Sequence, residues 1–159
     1  MDEIQVREPL PTDCEAIEQI TRLAIADLRK VYRPNQKALN HLSKIAPALS
    51  QLVAIKADSV AGTAQYRIEH DCFILTTLNV LPIHRRQGVA SALVRAIATL
   101  AASAGSRCVA LYTVKETGNV DIFERMGFRV VQENETDFFE SEACDVLTEV
   151  YMEHAVRVT

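Results

Sequence analysis

The residues of this chain most able to do chemistry form a short basic loop, Arg85-Arg86-Gln87-Gly88. An apolar, β-branched run at 73–80 precedes the loop and predicts a buried strand, which Pro82 ends because proline donates no hydrogen bond to a ladder. Apolar residues at helical spacing follow, so a helix is predicted to begin near Gly88. The first N–H groups of a helix have no partner within it, and the helix dipole places partial positive charge there. With two arginines beside it, this helix start predicts a site for a phosphate-bearing ligand.

The composition of the chain limits the kind of protein that carries this site. Its 159 residues are 48% hydrophobic and 24% charged, which predicts one globular domain over 1–159. The net charge of −4 argues against a nucleic-acid binder, because such proteins are normally basic. The sequence has neither an apolar run of membrane-spanning length nor a signal peptide, so we expect a cytoplasmic protein with no membrane partner.

The cysteines and histidines show no spacing that is typical of a metal site or a redox motif. No C-x-x-C pair occurs, and no histidine stands at metal-ligand spacing from a cysteine. We therefore expect reduced, packed thiols and no bound metal. The four cysteines are Cys14, Cys72, Cys108 and Cys144.

Patterns of apolar residues predict the elements that hold the basic loop in place. A capping box at Thr12 and Glu15 predicts the start of the first helix. Alternation at 60–69 predicts a strand with one apolar and one polar face, and the acidic segment 133–145 is predicted to be a loop. The predicted strands cover 4–8, 52–56, 60–69, 73–80, 107–114, 128–132 and 146–152, and the predicted helices run from Thr12 to about Arg33, from 38 to 45, from Gly88 to Gly105 and from 120 to 125.

The order of these elements predicts the fold class. Three consecutive strands at 52–80 have only tight turns between them, which predicts an antiparallel meander and excludes a purely alternating parallel sheet. We therefore predict an α/β (α+β) fold, in which a mixed, mostly antiparallel central sheet carries helices on both faces.

Two short phrases of the sequence resemble the GCN5-related N-acetyltransferase (GNAT) family. Arg85–Ala90 fits the family pattern Q/R-x-x-G-x-G/A, and Val80-Leu81-Pro82 before it fits the family's Val-x-Pro phrase. Ile122–Phe128 resembles a second family phrase, F/Y-E-K/R-x-G-F. The predicted order of elements also matches the acyl-CoA N-acyltransferase (GNAT) fold, so the resemblance spans nearly the whole chain.

The resemblance implies acetyl-coenzyme A as co-substrate and a set of residues that bind it. The loop would wrap the pyrophosphate with backbone amides, while the strand at 73–80 would separate from the strand at 107–114 and admit the pantetheine arm. Each assignment has a purely structural alternative. The segment 87–91 could be a plain strand-to-helix turn, Arg85 and Arg86 could belong to a solvated basic loop, and Asn119 could be a simple turn residue. The implied coenzyme-binding residues are Leu78, Val80, Arg85, Arg86, Gln87, Gly88, Val89, Ala90, Ser91, Asn119 and Phe123.

The proton carriers of such a transfer are harder to read from the sequence. Many relatives carry a tyrosine that protonates the departing thiolate, and here that position is Phe123, which has no proton to give. Tyr112 and Tyr151 are candidate replacements; otherwise water supplies the proton or the thiolate leaves unprotonated. Glu116 follows the strand at 107–114 and is our leading candidate for the general base, with a surface carboxylate as the alternative.

The function that follows is acetyl transfer from acetyl-coenzyme A to a primary amine, directly and within a ternary complex. The amine acceptor is not identified by any motif. A non-catalytic acyl-CoA-binding sensor is the alternative, supported by Phe123 and by the poorly defined base. The last strands offer an edge through which a homodimer could form.

Overall fold

The computed structural model describes residues 3–34, 49–136, 139–141 and 146–156. Within these ranges the helices are α1 (Cys14–Leu28), α2 (Val89–Ser103) and α3 (Asn119–Arg125). The strands are β1 (Gln5–Arg7), β2 (Arg33–Pro34), β3 (Ser50–Lys56), β4 (Ser59–Glu69), β5 (Cys72–Val80), β6 (Cys108–Val114), β7 (Arg129–Thr136), β8 (Phe139–Glu140) and β9 (Leu147–Ala155). The helix predicted at 38–45 lies outside the described residues.

Seven of the strands form one mixed sheet, in the order β1-β3-β4-β5-β6-β9-β7. The neighbours pair antiparallel except for β5 and β6, which are parallel and are joined by α2. This arrangement confirms the predicted mixed, mostly antiparallel sheet. The strands β2 and β8 pair separately as a two-stranded antiparallel sheet.

Helices pack on both faces of the large sheet, as predicted. The main core lies between the sheet and α2, where Leu93 and Ile97 are fully buried against Leu111 and Met152. Residues of α3 pack against the same core. On the opposite face, Ile20 of α1 forms a smaller cluster with buried residues of β3 and β4. The sheet therefore separates an α2–α3 face from an α1 face.

Gly62 allows the first turn of α2 to lie close against the sheet. A Cβ atom at this position would lie 2.8 Å from the carbonyl oxygen of Asn79 and 2.9 Å from a methyl group of Val89. A Cβ atom does not approach other heavy atoms that closely, so a side chain here would push α2 away from β4 and β5. The glycine therefore fixes the start of α2 beside the end of β5.

The structure corrects three details of the predicted elements. The capping box at Thr12 is wrong, because a 3-10 turn at 11–13 precedes α1 and the Asp13 carboxylate accepts the Leu10 N–H at 2.7 Å. The predicted polar face of β4 is wrong at Thr63, which is buried because α1 covers that part of the sheet. The acidic segment predicted as a loop continues as β7 to Thr136, since β9 pairs with it that far.

The expectation of reduced thiols is wrong for two of the four cysteines. Cys72 begins β5 and Cys108 begins β6, and the parallel register places them opposite each other with Cα atoms 4.9 Å apart. This separation suits a disulfide, and their sulfur atoms are bonded. The sequence hid the pair because 36 residues separate the cysteines and the register of the two strands brings them together. Cys14 is a free, exposed thiol, and Cys144 lies outside the described residues.

Reduction of the Cys72–Cys108 disulfide should lower the free energy of unfolding by about 3–4 kcal/mol, because the bond restricts the unfolded chain over a loop of 36 residues. Urea unfolding with and without dithiothreitol measures the difference. The Cys14→Ser variant should keep the effect of the reductant, whereas the double variant Cys72→Ser/Cys108→Ser should lose it. Equal urea midpoints for wild-type protein with and without reductant would contradict the assignment.

Candidate functional site

The two parallel strands β5 and β6 pair over only part of their length. Their register joins Cys72–Leu75 to Cys108–Leu111, and beyond that point neither strand has the other as a partner. A register shift between β4 and β5 at Gln65/Tyr66 leaves Thr76 as an extra residue in β5. Such a bulge bends a strand, so β5 turns away from β6 just where their pairing ends. We call the resulting gap, between 76–80 and 112–114, the slot.

The loops that follow β5 and β6 lie at the same edge of the sheet. Because the two strands are parallel, their carboxyl ends point the same way, and both strands continue beyond their paired segment along the slot. The segment after β5 leads into α2, and the segment after β6 leads into α3. The N-termini of these helices therefore flank the open end of the slot.

The loop between β5 and α2 has the conformation of an anion-binding turn. Arg86 and Gly88 have positive φ angles of 61° and 85°, and Gly88 is the residue that caps α2. The Ala92 N–H bonds the Gly88 carbonyl at 2.9 Å and so begins the regular pattern of the helix. The amides of Val89, Ala90 and Ser91 precede that bond and point out of the helix end. This end of α2 can therefore donate several N–H groups to one ligand.

The side chains of the loop divide between bracing it and facing solvent. Gln87 donates to the Ile83 carbonyl at 3.2 Å and accepts from Lys56, so it ties the loop to β3. Arg85 bonds Asp27 of α1 at 3.1 Å. This hydrogen bond is the main reason that the pKa of Asp27 is lowered. Arg86 is exposed and has no partner among the described residues, so its guanidinium is the one in this loop most open to a phosphate.

The residues after β6 place a second helix start beside the slot. Gly118 has a φ of 80° and caps α3, and the Asn119 N–H donates to the Thr117 hydroxyl at 3.2 Å. Phe123 is partly buried against the core, and its ring meets Phe128 edge-on at 5.8 Å. The predicted residues Asn119 and Phe123 thus lie on the β6 side, across the open end from the basic loop.

Glu116 has a structural partner in this turn. Each of its carboxylate oxygens lies 3.0 Å from the backbone nitrogen of Thr148, whose N–H they accept. The carboxylate therefore supports the start of β9. Its assignment as general base stays a prediction.

A groove of about 590 Å³ lies between α2 and α3 on the same face as the basic loop. Ser91, in the first turn of α2 next to the loop, lines the groove, and Arg95 lies one helical turn further along α2. Arg125 and His154 line the same groove as Arg95, and the lining contains no acidic residue, so the groove suits an anion. Its lining residues are Ser91, Val94, Arg95, Ala98, Thr99, Ala102, Arg125, Met126, His154, Ala155 and Val156.

On the opposite face, tyrosines lie beside the slot. Tyr112, just past the last paired residue of β6, is 54% exposed, and its ring lies 5.0 Å from that of Tyr151. The Tyr151 hydroxyl donates to Glu153 at 2.6 Å, and Arg107 also binds that carboxylate. Burial, followed by the bond to Glu153, raises the pKa of Tyr151 to about 12. Tyr151 is therefore already engaged, and of the two tyrosines Tyr112 is the more open to a ligand.

The residues that the structure describes hold one close group of three potential metal ligands, Cys72, Cys108 and Glu153. Both thiols of this group are joined in the disulfide, and the carboxylate is bonded to Arg107 and Tyr151. These donors are therefore already satisfied. Across the described ranges, every helix is too short or too polar to cross a membrane.

The sequence matches the profile of the acetyltransferase (GNAT) family over residues 17–128, which is more than half of the chain. No curated protein matches the sequence. Sequence patterns and profile thus point to the same family.

Solved structures of acetyltransferases share the fold over nearly the whole chain. A GCN5-related N-acetyltransferase from Kribbella flavida is 20% identical, with 96% of this chain and 98% of that chain covered and a TM-score of 0.74. The ribosomal-protein-S18-alanine N-acetyltransferase from Escherichia coli is 14% identical, with 99% and 96% covered and a TM-score of 0.70. Arabidopsis thaliana NAA60 in complex with acetyl-CoA is 17% identical, with 97% and 99% covered and a TM-score of 0.68. At such identities the likeness establishes the fold.

Proposed function

This chain belongs to the acetyltransferase (GNAT) family, and on that premise we propose that it transfers an acetyl group from acetyl-coenzyme A to a primary amine. The transfer is direct and takes place while both substrates are bound. The observation that carries the proposal is the slot between β5 and β6, with an anion-binding helix start at its open end. A long, narrow ligand with a phosphate group near its middle fits both features at once.

The slot suits the pantetheine arm because that arm carries amide groups along its length. In the sheet, the backbone groups of 76–80 that face β6 have no strand partner, so they can bond an extended ligand as they would a strand. Leu78 and Val80 take part through the main chain, since their side chains pack on the core. A backbone N–H at this edge also polarises the thioester carbonyl.

The pyrophosphate binds the loop at the start of α2. The donors are the amides from Gln87 to Ser91, and Gly88 lets the chain approach closely while holding its positive φ. Arg86 adds a full charge, while Arg85 remains bonded to Asp27 and positions the loop. Asn119 and Phe123 line the β6 side of the same cleft.

The nucleotide end of the coenzyme lies toward the groove between α2 and α3. Ser91 connects this groove to the loop, and Arg95 and Arg125 supply positive charge without an acidic neighbour in the lining. Guanidinium groups bind phosphates well because they donate two parallel hydrogen bonds. These two arginines are therefore assigned to the phosphate on the ribose.

Tyr112 is the residue that best replaces the tyrosine missing at Phe123. It lies at the edge of the slot on the face opposite the coenzyme helices, where the thiolate is released. Burial and nearby carboxylates raise the pKa of Tyr112, so its hydroxyl keeps its proton at neutral pH and can donate it.

Acetyl-coenzyme A should stabilise the protein against heat, because a ligand that binds only the folded state shifts unfolding. At about 100 times the dissociation constant the gain is about 2.7 kcal/mol, or roughly 5–10 °C in Tm. Gly88→Val should lose most of this shift. Gly105→Val is the matched control, because Gly105 also has a positive φ of 76°, with open space around it, at the other end of α2. Equal shifts in both variants would contradict the assignment of the loop.

Turnover against a panel of amines tests the proposed reaction itself. Release of the coenzyme thiol is followed with alkylamines, diamines and peptides that carry a free N-terminal amine, and the acetylated product is identified by mass. We expect at least one amine to be acetylated. Saturable binding of acetyl-coenzyme A without product from any amine would favour the alternative of a non-catalytic acyl-CoA sensor.

A further inference from the structure

Glu149 lies in β9 beside the part of β6 that borders the slot. Its Cα partner in β6 is Val114, and the preceding pair on the same face is Tyr112 with Tyr151. Residues two apart in a strand share a face, and so do direct partners. Glu149 and Tyr112 therefore lie on the face opposite α2 and α3, where an amine would reach the thioester.

Glu149 is a carboxylate with no fixed role in the fold. In the described part of the chain the Glu149 carboxylate accepts no hydrogen bond and forms no ion pair, and Glu149 is partly buried. Four other carboxylates of the described ranges are engaged with protein groups: Glu116 with the Thr148 amide, Glu153 with Arg107 and Tyr151, Glu69 with Arg67, and Glu133 with Lys115.

Partial burial makes the Glu149 carboxylate a better proton acceptor than an exposed carboxylate. Burial raises the pKa of Glu149 above its usual value, and a base works best when its pKa approaches the working pH. The groups that face it are Tyr112 and Val114 from β6, Asn134 from β7, Tyr151 from β9 itself and, beyond Tyr112, Arg67 and Glu69 from β4.

We propose that Glu149 is the general base of the acetyl transfer, an inference that rests on the proposed function. The Glu149 carboxylate takes one proton from the acceptor's ammonium group, directly or through one water. The freed amine forms a C–N bond with the thioester carbonyl carbon, and the C–S bond breaks. The Tyr112 hydroxyl gives its proton to the thiolate. Tyr112 then regains a proton from the attacking nitrogen, which loses its second proton in this step. One amide, one coenzyme thiol and one protonated Glu149 result.

The test compares Glu149→Gln with the rival Glu116→Gln and the matched control Glu133→Gln, which changes an exposed carboxylate of β7. The acceptor is the amine that wild-type protein acetylates fastest in the panel. Glu149→Gln should lower kcat at least 100-fold without changing the KM for acetyl-coenzyme A, in line with the usual contribution of a general base. Glu133→Gln should keep wild-type rates.

The pH profile separates a base from a residue that only supports the fold. Wild-type kcat/KM should fall as the pH drops through the pKa of Glu149, because a protonated carboxylate accepts no proton. Glu149→Gln should lose that acidic limb, and Glu149→Asp should keep it at a lower rate. At neutral pH the Tm of Glu149→Gln should equal or exceed that of wild type, since the neutral amide avoids the cost of burying a charge.

Four results would overturn the proposal. Glu149→Gln with kcat within threefold of wild type and an intact acidic limb would exclude Glu149, and loss of the limb in Glu116→Gln alone would transfer the role to Glu116. A large fall in the Tm of Glu149→Gln, with Glu149→Asp as inactive as Gln, would make Glu149 a structural residue. If the wild-type protein acetylates no amine, both the proposed function and the assignment of Glu149 fail. If wild type and Glu149→Gln are both active, only the assignment of Glu149 as general base fails.

Discussion

The incomplete pairing of β5 and β6 is the constraint on which the rest of the site depends. Four residue pairs hold the two parallel strands together, and a disulfide joins the first of these pairs. Beyond Leu75 the bulge in β5 turns the strand away, so unpaired backbone groups line a cleft inside an otherwise continuous sheet. Unpaired groups of this kind are costly unless a ligand or water satisfies them. The unpaired N–H and C=O groups of the sheet are therefore the groups that can bind the ligand.

The two faces of the sheet have separate chemical tasks in this account. On one face, α2 presents N–H groups, and α2 and α3 each supply an arginine, which suits an anionic ligand, and Gly62 keeps the start of α2 next to β5. On the other face, Tyr112 and Glu149 lie on neighbouring strands, and their hydroxyl and carboxylate groups suit proton transfer. The slot connects the two faces, so an acetyl donor held on one side can meet an amine acceptor that arrives from the other.

The sequence predicted the parts of the structure that local patterns control. The mixed sheet and the helix start at Gly88 follow from apolar periodicity, glycine and proline. Features that depend on strand register could not be predicted from the sequence, because residues far apart in the chain become neighbours only through strand pairing. The Cys72–Cys108 disulfide and the position of Glu149 opposite Val114 are both of this kind. Disulfides are uncommon in reducing compartments, so the Cys72–Cys108 bond conflicts with the predicted cytoplasmic location.

Hydrogen exchange at single amides, with and without acetyl-coenzyme A, tests the central claim most directly. Amides of 76–80 and 112–114 that face the slot should exchange slowly only when the coenzyme is bound, together with those of Val89, Ala90 and Ser91. Amides in the paired segment 72–75 should be protected in both states, because β6 already holds them. Protection that appears elsewhere and leaves the slot unchanged would contradict the claim that the parting of β5 and β6 makes the coenzyme site.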